Sequence, residues 1–382
     1  MSEDKEKELN TQEEAAAPAP EGAAEEAPVP ERRSFGRLAA TLALRFLCVL
    51  LVTVLIAVAA LYGVMYIMVN GPSETARELF VLSVRETSAI GFLADLFLTP
   101  EEIVQIEAGR EIIEEMRTDT SLITIETVDT TVSQVSDAWG FVDEDGDGII
   151  LDTVKGEGYS GFMMIVLDPS RVIIGSVPKS IGSRGYTVRE MVEKFDAVAG
   201  TNAGGFDDPG GQGNGSTPDR AIVYDGVMYC GGKGTGTGFV GLDYDHILHV
   251  GLVGTKAVQD ANIQYGCSFG PVLVSNGVGA DPDKLASGVN PRTAIGQRSD
   301  GAILLLVIDG RQVISLGATY ADLTEIMLRY GAVNACNLDG GSSSMMYYNG
   351  EYVNNCASVI GIRPVPTAVI VLKEGVQSDG EE

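Results

Sequence analysis

The stretch Ala332-Val333-Asn334-Ala335-Cys336-Asn337-Leu338-Asp339-Gly340-Gly341-Ser342-Ser343-Ser344 indicates the kind of fold that this chain adopts. Its first four residues are typical of a buried strand, and Met345 to Tyr348 resume strand character after the polar turn. The two glycines let the backbone approach a ligand without hindrance from side chains. N–H groups and hydroxyls at such a turn suit phosphate or sugar oxygens. Taken alone, the octet Asn337–Ser344 is equally compatible with a β-turn that binds nothing.

Polar groups also adjoin apolar runs in three other segments: Thr201-Asn202-Ala203-Gly204-Gly205-Phe206-Asp207, Asn290-Pro291-Arg292-Thr293-Ala294 and Ile308-Asp309-Gly310-Arg311. Rigid strands commonly present site residues in this way. Each segment alone is compatible with a simple turn or a structural salt bridge. The four together favour one common site at which the ends of distant strands converge.

The region from about residue 136 to 375 consists of short β-rich runs separated by glycine turns. The candidate strands are Phe162–Leu167, Val172–Ser176, Ala197–Thr201, Ala221–Tyr224, His249–Val253, Ile303–Ile308 and Thr367–Leu372. A capping box of Thr187 with Glu190 starts one predicted helix, and apolar residues at helical spacing from Leu323 to Tyr330 predict another. Because strands and helices do not alternate regularly, we predict an α+β domain, with a mixed β-sheet core and a few helices, rather than a doubly wound sheet.

The N-terminal part of the chain predicts a membrane anchor. Residues 1–35 are rich in Glu, Ala and Pro and are predicted to be a disordered acidic tail. Residues 36–69 hold 24 consecutive uncharged positions, Phe46–Val69, enough for a helix to cross a bilayer. Four arginines precede this span and two follow at a similar distance, so the positive-inside rule places the N-terminus in the cytoplasm and the remainder outside the cell. A buried core helix is the alternative.

A helical stem is predicted between the membrane span and the β-rich domain, over residues 70–135. Thr99-Pro100-Glu101-Glu102 has the form of a capping box with proline at the first helical position. Apolar residues continue the helical spacing to about Arg117. We expect this stem to lift the domain of residues 136–375 off the membrane.

Composition and several motifs exclude other functions. The net charge of −27 argues against a nucleic-acid partner. Gly236–Gly241 matches GxGxxG, but an extended segment follows where a dinucleotide fold needs a helix. Gly266–Gly270 matches GxSxG, but both histidines, His246 and His249, precede the serine, which argues against a serine hydrolase. We interpret the histidines as structural strand residues, and we expect no metal and no cofactor.

Two features leave alternatives open. Asp143-Glu144-Asp145-Gly146-Asp147-Gly148 begins like an EF-hand loop, but Val154 occupies the twelfth position, where a glutamate belongs, so an acidic surface turn is favoured. Cys230, Cys267, Cys336 and Cys356 form an even set with three possible pairings. A bridge from Cys336 to Cys356 would close the Asp339 turn, and buried free thiols fit equally well.

The four polar segments suggest a reaction class. Arg292 and Arg311 suit bidentate phosphate contact, whereas Asp309 and Asp339 suit a base, a nucleophile or a stabiliser of an oxocarbenium-like carbon. The phosphate monoester released from a sugar-1-phosphodiester leaves already ionised, since its second pKa is ~6. Arginine charge can therefore replace most of the work of a protonating acid.

Residues 155–372 resemble the phosphodiester glycosidase domain family, including its exopolysaccharide-related bacterial members. The resemblance implies hydrolysis of a sugar linked through C1 to phosphate. It also implies that the matched positions line the pocket. Among them we predict Asp339, Asp309, Arg292 and Arg311 as catalytic residues, with Asp339 the first choice for the catalytic carboxylate. The predicted substrate-binding residues are Asn202, Gly205, Phe206, Asp207, Asn337, Gly340, Gly341, Ser342 and Ser343.

Three functional hypotheses follow from the sequence. The first is a membrane-anchored hydrolase outside the cell that acts on phosphodiester-linked sugars of cell-envelope or exopolysaccharide glycans. The second is a non-catalytic glycan-binding module that positions polymer during assembly. The third, a calcium-dependent adhesion domain, depends on the Asp143–Asp147 turn alone. The sugar and the oligomeric state stay open.

Overall fold

The computed structural model describes residues 35–87, 90–108, 117–125, 139–207, 213–230, 238–358 and 361–376. The predicted tail lies outside these residues except for Phe35, as do residues 88–89, 109–116 and 126–135 of the predicted stem. The α-helices within the described residues are α1 Phe35–Asn70, α2 Glu74–Arg85, α3 Phe92–Asp95, α4 Pro100–Ala108, α5 Val188–Lys194, α6 Gly254–Asp260 and α7 Tyr320–Arg329.

The strands are β1 Ile149–Gly156, β2 Tyr159–Val166, β3 Val172–Ser176, β4 Ala197–Asn202, β5 Ala221–Tyr224, β6 Val227–Cys230, β7 Phe239–Asp243, β8 Leu248–Leu252, β9 Ile263–Ser268, β10 Val272–Ser275, β11 Val278–Gly279, β12 Arg292–Arg298, β13 Ile303–Ile308, β14 Ala332–Leu338, β15 Met346–Tyr348, β16 Glu351–Tyr352 and β17 Thr367–Leu372. They form a seven-stranded sheet in the order β1-β2-β13-β12-β14-β10-β11 and two five-stranded sheets, β16-β15-β4-β17-β3 and β6-β5-β9-β7-β8. All strand pairings in the described residues are antiparallel, which refines the expected mixed sheet and agrees with the α+β prediction.

Strand β13 shows why the central strands are apolar without interruption. Alternate side chains of a strand point to opposite faces of its sheet. Ile303, Leu305 and Val307 join the large core shared with the two smaller sheets. The residues between them join a second core, which includes buried side chains of α7. Because both faces are covered, β13 has no polar position until Asp309.

The capping signals in the sequence mark the starts of helices as predicted. The Thr187 side chain accepts from the Glu190 N–H and the Glu190 side chain accepts from the Thr187 N–H at the start of α5. Thr99 and Glu102 make the equivalent bonds at the start of α4. The predicted continuation of this helix over residues 109–116 lies outside the described residues. All seven candidate strands are present, and the periodic segment from Leu323 lies in α7.

The chain divides into two compact units, residues 1–62 and 63–382. By length and composition, α1 is sufficient to cross a membrane over Leu38–Asn70. The last residues of α1 belong to the second unit, where Val69 shares a small core with Phe80 and Val84 of α2 and Ile103 of α4. The second unit thus contains both the stem helices and the three sheets.

Candidate active site

The register of the seven-stranded sheet brings three predicted site residues together at one end of its neighbouring strands β13, β12 and β14. Arg292, the first residue of β12, pairs with Ile308, the last residue of β13. The second residue of β12 pairs with the last residue of β14. Asp309 and Asp339 directly follow those two strands. Neighbouring antiparallel strands therefore place Arg292 between the chain segments that carry the two acids.

Asn202, at the end of β4, connects a second sheet to these strand ends. Its Nδ2 donates to the Asp339 carbonyl oxygen at 2.5 Å. Its Oδ1 accepts from Thr293 Oγ1 at 2.9 Å and from the Met345 N–H at 3.1 Å. The residue is fully buried, at 0% exposure. These bonds hold the Asp339 turn in place, which fits a positioning role better than the predicted contact with substrate.

The two glycines of the turn are required by close contacts. A Cβ on Gly340 would lie 2.8 Å from the Pro291 carbonyl oxygen. Gly341 has φ +61°, and its N–H donates to that same oxygen at 2.8 Å. A Cβ on Gly341 would lie 3.3 Å from Arg311 Nη2. The turn therefore packs against the start of β12 with Arg311 beside it, in a backbone conformation that favours glycine.

Arg311 is the arginine best placed to meet a ligand. Its Nη2 donates to Thr87 Oγ1 at 2.8 Å and to Asn290 Oδ1 at 3.0 Å, and its Nη1 donates to Ser342 Oγ at 3.4 Å. Among the described residues, its Nε–H and one Nη1 hydrogen have no protein acceptor. Burial of the guanidinium lowers the pKa of Arg311, and the charges of Arg292 and Arg363 act in the same direction, opposed by Glu86. An anionic ligand would relieve this crowding of positive charge.

Arg311 also has an unusual backbone conformation. Its φ of +57° lies in the left-handed region, which is uncommon for a residue with a side chain. Such strain persists where the surrounding structure enforces it, commonly at functional sites.

Arg292 is buried, and its guanidinium donates to groups of the protein itself. Its Nε donates to the Ala318 carbonyl oxygen at 3.0 Å, and its Nη2 donates to the Gly288 carbonyl oxygen at 2.6 Å and to Glu86 Oε2 at 2.8 Å. The guanidinium carbon lies 4.3 Å from the centre of the Tyr320 ring. The side chain is 5% exposed. The two arginines are therefore not equivalent, although the sequence placed both on the phosphate.

Asp309 is buried and held from one side. Its Oδ1 accepts from Asn354 Nδ2 and from the Asn355 N–H, both at 3.0 Å. Burial raises the pKa of Asp309, and these two hydrogen bonds oppose that shift. A carboxyl group with a raised pKa is suited to hold a proton during a reaction.

The remaining predicted residues differ in how deeply they are buried. Asn337 is 1% exposed, and its Nδ2 donates to the Gly270 carbonyl oxygen at 2.8 Å. Ser343 is also buried, whereas Ser342 is half-exposed. Gly205 approaches the Phe269 ring, to which a Cβ would come within 2.9 Å. Asp207 is exposed, and its backbone N–H donates to the Thr217 carbonyl oxygen.

Phe206 contacts an arginine that the sequence analysis did not single out. The guanidinium carbon of Arg363 lies 5.1 Å from the centre of the Phe206 ring. Asn354, Glu86 and Thr87 were likewise missed as neighbours of the site, and Asn290 lies in one of the four polar segments but was given no role. The paired amides Asn354-Asn355 carry a weak signal, because they follow a strand, whereas nothing in the sequence of α2 distinguishes Glu86 from a surface acid.

The cysteines near the site are thiols. Cys267, Cys336 and Cys356 are free, so the possible bridge from Cys336 to Cys356 is absent, and the side chain of Cys230 lies outside the described residues. Burial raises the pKa of Cys267 to about 12, and the Asp339 carboxylate acts in the same direction. This thiol therefore stays protonated at neutral pH and is a poor nucleophile.

The motifs that resembled other chemistry have structural roles. Ser268 of the GxSxG match lies within β9 and donates to the Ala221 carbonyl oxygen at 3.1 Å. His249 bonds Asp243 Oδ2 at 2.8 Å, as expected for a strand residue with a partner. Gly236 and Thr237 lie outside the described residues, and the rest of the GxGxxG match enters strand β7.

The acidic turn has carboxylate oxygens close enough together to hold a cation. One oxygen from each of Asp143, Asp145 and Asp147 lies within 4.8 Å of the others. The Asp143 oxygens accept from the N–H groups of Gly146 and Gly148, and Tyr348 donates to Asp147. These bonds account for the turn without an ion.

Comparisons with known proteins agree with the family resemblance. The sequence model of the family described as "Phosphodiester glycosidase" matches residues 195–372, a narrower region than the 155–372 predicted. The SPbeta prophage-derived uncharacterized protein YomE of Bacillus subtilis is 43% identical over 21% of this chain and 13% of its own length. N-acetylglucosamine-1-phosphodiester alpha-N-acetylglucosaminidase of Mus musculus is 24% identical over 51% of this chain.

This chain spans only 41% of the length of the mouse enzyme. Among solved structures, the catalytic domain of the zebrafish enzyme of that name has 20% identity and a TM-score of 0.49, covering 59% of this chain and 82% of that one.

Proposed function

We propose, on the premise that residues 195–372 belong to the phosphodiester glycosidase family, that this protein hydrolyses sugars linked through C1 to a phosphodiester. We further propose that α1 anchors it in a cell membrane with the N-terminus in the cytoplasm and the β-rich domain outside. Its substrates would be phosphodiester-linked glycans of the cell envelope or exopolysaccharide.

One observation carries the catalytic proposal: Arg292, Asp309 and Asp339 adjoin the paired ends of three neighbouring strands, and Arg311 bonds Ser342 of the Asp339 turn. In this scheme Arg311 and Ser342 bind the phosphate, and Arg292 supports them from below the surface. Asp339 acts at C1 as the first catalytic carboxylate, and Asp309, with its raised pKa, is the second.

The proposed reaction breaks the bond between C1 and the phosphate oxygen. Water supplies the new oxygen on C1 and loses a proton to a carboxylate, and the phosphate monoester departs with the bonding electron pair. Charge on Arg311 stabilises the departing oxygen, so the leaving group needs no proton from a histidine. Positive charge that develops at C1 is stabilised by the carboxylates.

Turnover by the purified full-length protein in detergent tests this function. The substrates are p-nitrophenyl phosphodiesters of α-N-acetylglucosamine and of other sugars. We expect Asp339→Asn and Arg311→Ala each to lower kcat/KM by at least about a hundredfold, as for loss of a group that acts on the transition state. Wild-type turnover no faster than that of Asp339→Asn on every sugar would contradict the proposal. Binding without turnover would favour the glycan-binding module instead.

A further inference from the structure

We infer that Glu86 and Thr87, at the end of the stem helix α2, are positioning residues for Arg311. The candidate site is then complete only with the stem in place. Both residues lie far outside the family-matched segment 195–372. The inference rests on the function proposed above, because it assigns Arg311 to the phosphate.

Thr87 acts on Arg311 directly. Its Oγ1 accepts from Arg311 Nη2 at 2.8 Å. Glu86 acts through Asn290: its Oε2 accepts from Asn290 Nδ2 at 2.6 Å, while Asn290 Oδ1 accepts from Arg311 Nη2 at 3.0 Å. The bond from Asn290 to Glu86 orients the amide so that its oxygen faces the guanidinium. Both acceptors for Nη2 therefore depend on the stem.

Glu86 also balances charge at the centre of this network. Arg292 Nη2 donates to the same Glu86 oxygen at 2.8 Å, and the two side chains are 5% and 13% exposed. A buried arginine without its partner carboxylate is strongly destabilised. Glu86 thereby fixes Arg292 and Asn290 together, while the Nε–H and one Nη1 hydrogen of Arg311 have no acceptor among the described residues.

The end of α2 is itself firmly attached to the strand-rich part of the unit. Ser83 Oγ accepts from the Val289 N–H at 3.0 Å. A Cβ on Gly288 would lie 2.3 Å from the Ser83 backbone nitrogen, so glycine is required there for the close approach of the two chains. The stem thus has a fixed position beside β12 from which it can orient side chains.

The same contacts allow a second interpretation, which predicts the opposite change in phosphate affinity when Glu86 is replaced. In that interpretation, the Glu86 carboxylate occupies the place of the substrate phosphate on Arg292. In that case its removal would open the site and increase phosphate affinity. If Glu86 is a positioning residue, its removal weakens phosphate binding.

The test uses the full chain in detergent with the variants Thr87→Val, Thr87→Ser and Glu86→Gln. Glu78→Gln is the matched control, because Glu78 is an exposed acid on the same helix. KM and kcat are measured on the phosphodiester substrates, and Kd is measured for α-N-acetylglucosamine 1-phosphate by calorimetry. Thermal unfolding of each variant reports any general loss of structure.

We expect Thr87→Val and Glu86→Gln each to raise KM and Kd by about tenfold, the size expected for losing one hydrogen bond to a charged group. Because Arg311 also stabilises the departing oxygen, kcat should fall in both variants as well. Thr87→Ser should recover most of the affinity, because it keeps the hydroxyl, and Glu78→Gln should match the wild type.

Two results for the variants would overturn the inference. Tighter binding by Glu86→Gln would make this carboxylate an occupant of the phosphate site. Lower thermal stability with unchanged KM and Kd would make the stem contacts merely structural. If the wild type binds the sugar phosphate without turnover, the proposed reaction fails while Kd still decides the positioning role. If it binds no sugar phosphate, both proposals fail.

Discussion

Replacing Asn202 with alanine tests whether this residue supports the site or touches the substrate. The side chain bridges the Asp339 carbonyl oxygen, the Thr293 hydroxyl and the Met345 N–H. Thr293 and Met345 are both 0% exposed, so water cannot readily replace the lost bonds. A substrate-binding residue at the surface would carry no such network.

The magnitude follows from the partners left behind. Each buried polar group that loses its partner costs about 1–3 kcal/mol, and three groups lose one here. Allowing for partial relaxation, we expect Asn202→Ala to lower the free energy of unfolding by about 4 kcal/mol. For a domain of this size, that corresponds to a fall in Tm of about 8–16 °C.

The assay is thermal unfolding of the full chain in detergent, followed by kinetics at a temperature at which every variant is folded. Asn334→Ala is the control, because Asn334 is equally buried but lies near the opposite end of β14, where it bonds Asn276 and Leu248. That variant should lose stability and keep the wild-type KM and kcat. An Asn202→Ala protein that melts within about 2 °C of the wild type while its KM rises would refute the reasoning.

Three further predictions concern Asp309, the glycine turn and the acidic turn. Folding raises the pKa of Asp309, so ionisation of this carboxyl group opposes folding as pH rises through its pKa in the folded state. Asp309→Asn should therefore be more stable than the wild type near neutral pH. Denaturant titrations should show this margin vanish below about pH 4. Gly341→Ala should cost about 1–2 kcal/mol of stability and raise KM, because Gly341 has a positive φ and lies against Arg311. Gly350 has a positive φ but open space around it, so Gly350→Ala should lower stability and leave KM unchanged. Thermal unfolding and steady-state kinetics measure the two effects. Chelation with EDTA should leave the Tm and turnover unchanged, and a fall in Tm reversed by Ca²⁺ would contradict the assignment of Asp143–Asp147 as a plain turn.

The sequence was informative wherever local chemistry determines structure. The unbroken apolar run of β13 and the capping box of α5 identified their elements, because burial on both faces and backbone capping are local requirements. β12 was harder to recognise as a strand, since its polar residues are buried against partners elsewhere in the chain: Arg292 against Glu86, Gln297 against Leu248 and Arg298 against the Trp139 ring. Local patterns do not report such partners.

The roles of individual site residues were less predictable than their positions. Asn337 shares a sheet face with Arg292, because it pairs with Ala294, and yet its amide nitrogen bonds the Gly270 carbonyl oxygen. The bond from Asn202 to Asp339 joins residues 137 positions apart, and Glu86 is still farther from Arg292. Those pairings depend on sheet order and on the docking of α2, neither of which has a signature in the sequence.

The short connection between α1 and the site also bears on which glycans the protein can reach. Thr87, which contacts Arg311, is separated from the end of α1 at Asn70 by α2 and a few residues outside it. A helix rises about 1.5 Å and an extended chain at most about 3.5 Å per residue, so this path spans at most about 40 Å. If α1 crosses the membrane as proposed, Arg311 must work within about that distance of the bilayer surface. The proposed substrates are therefore phosphodiester-linked sugars close to the membrane, because the distal ends of a long polymer would reach the site only by folding back towards it.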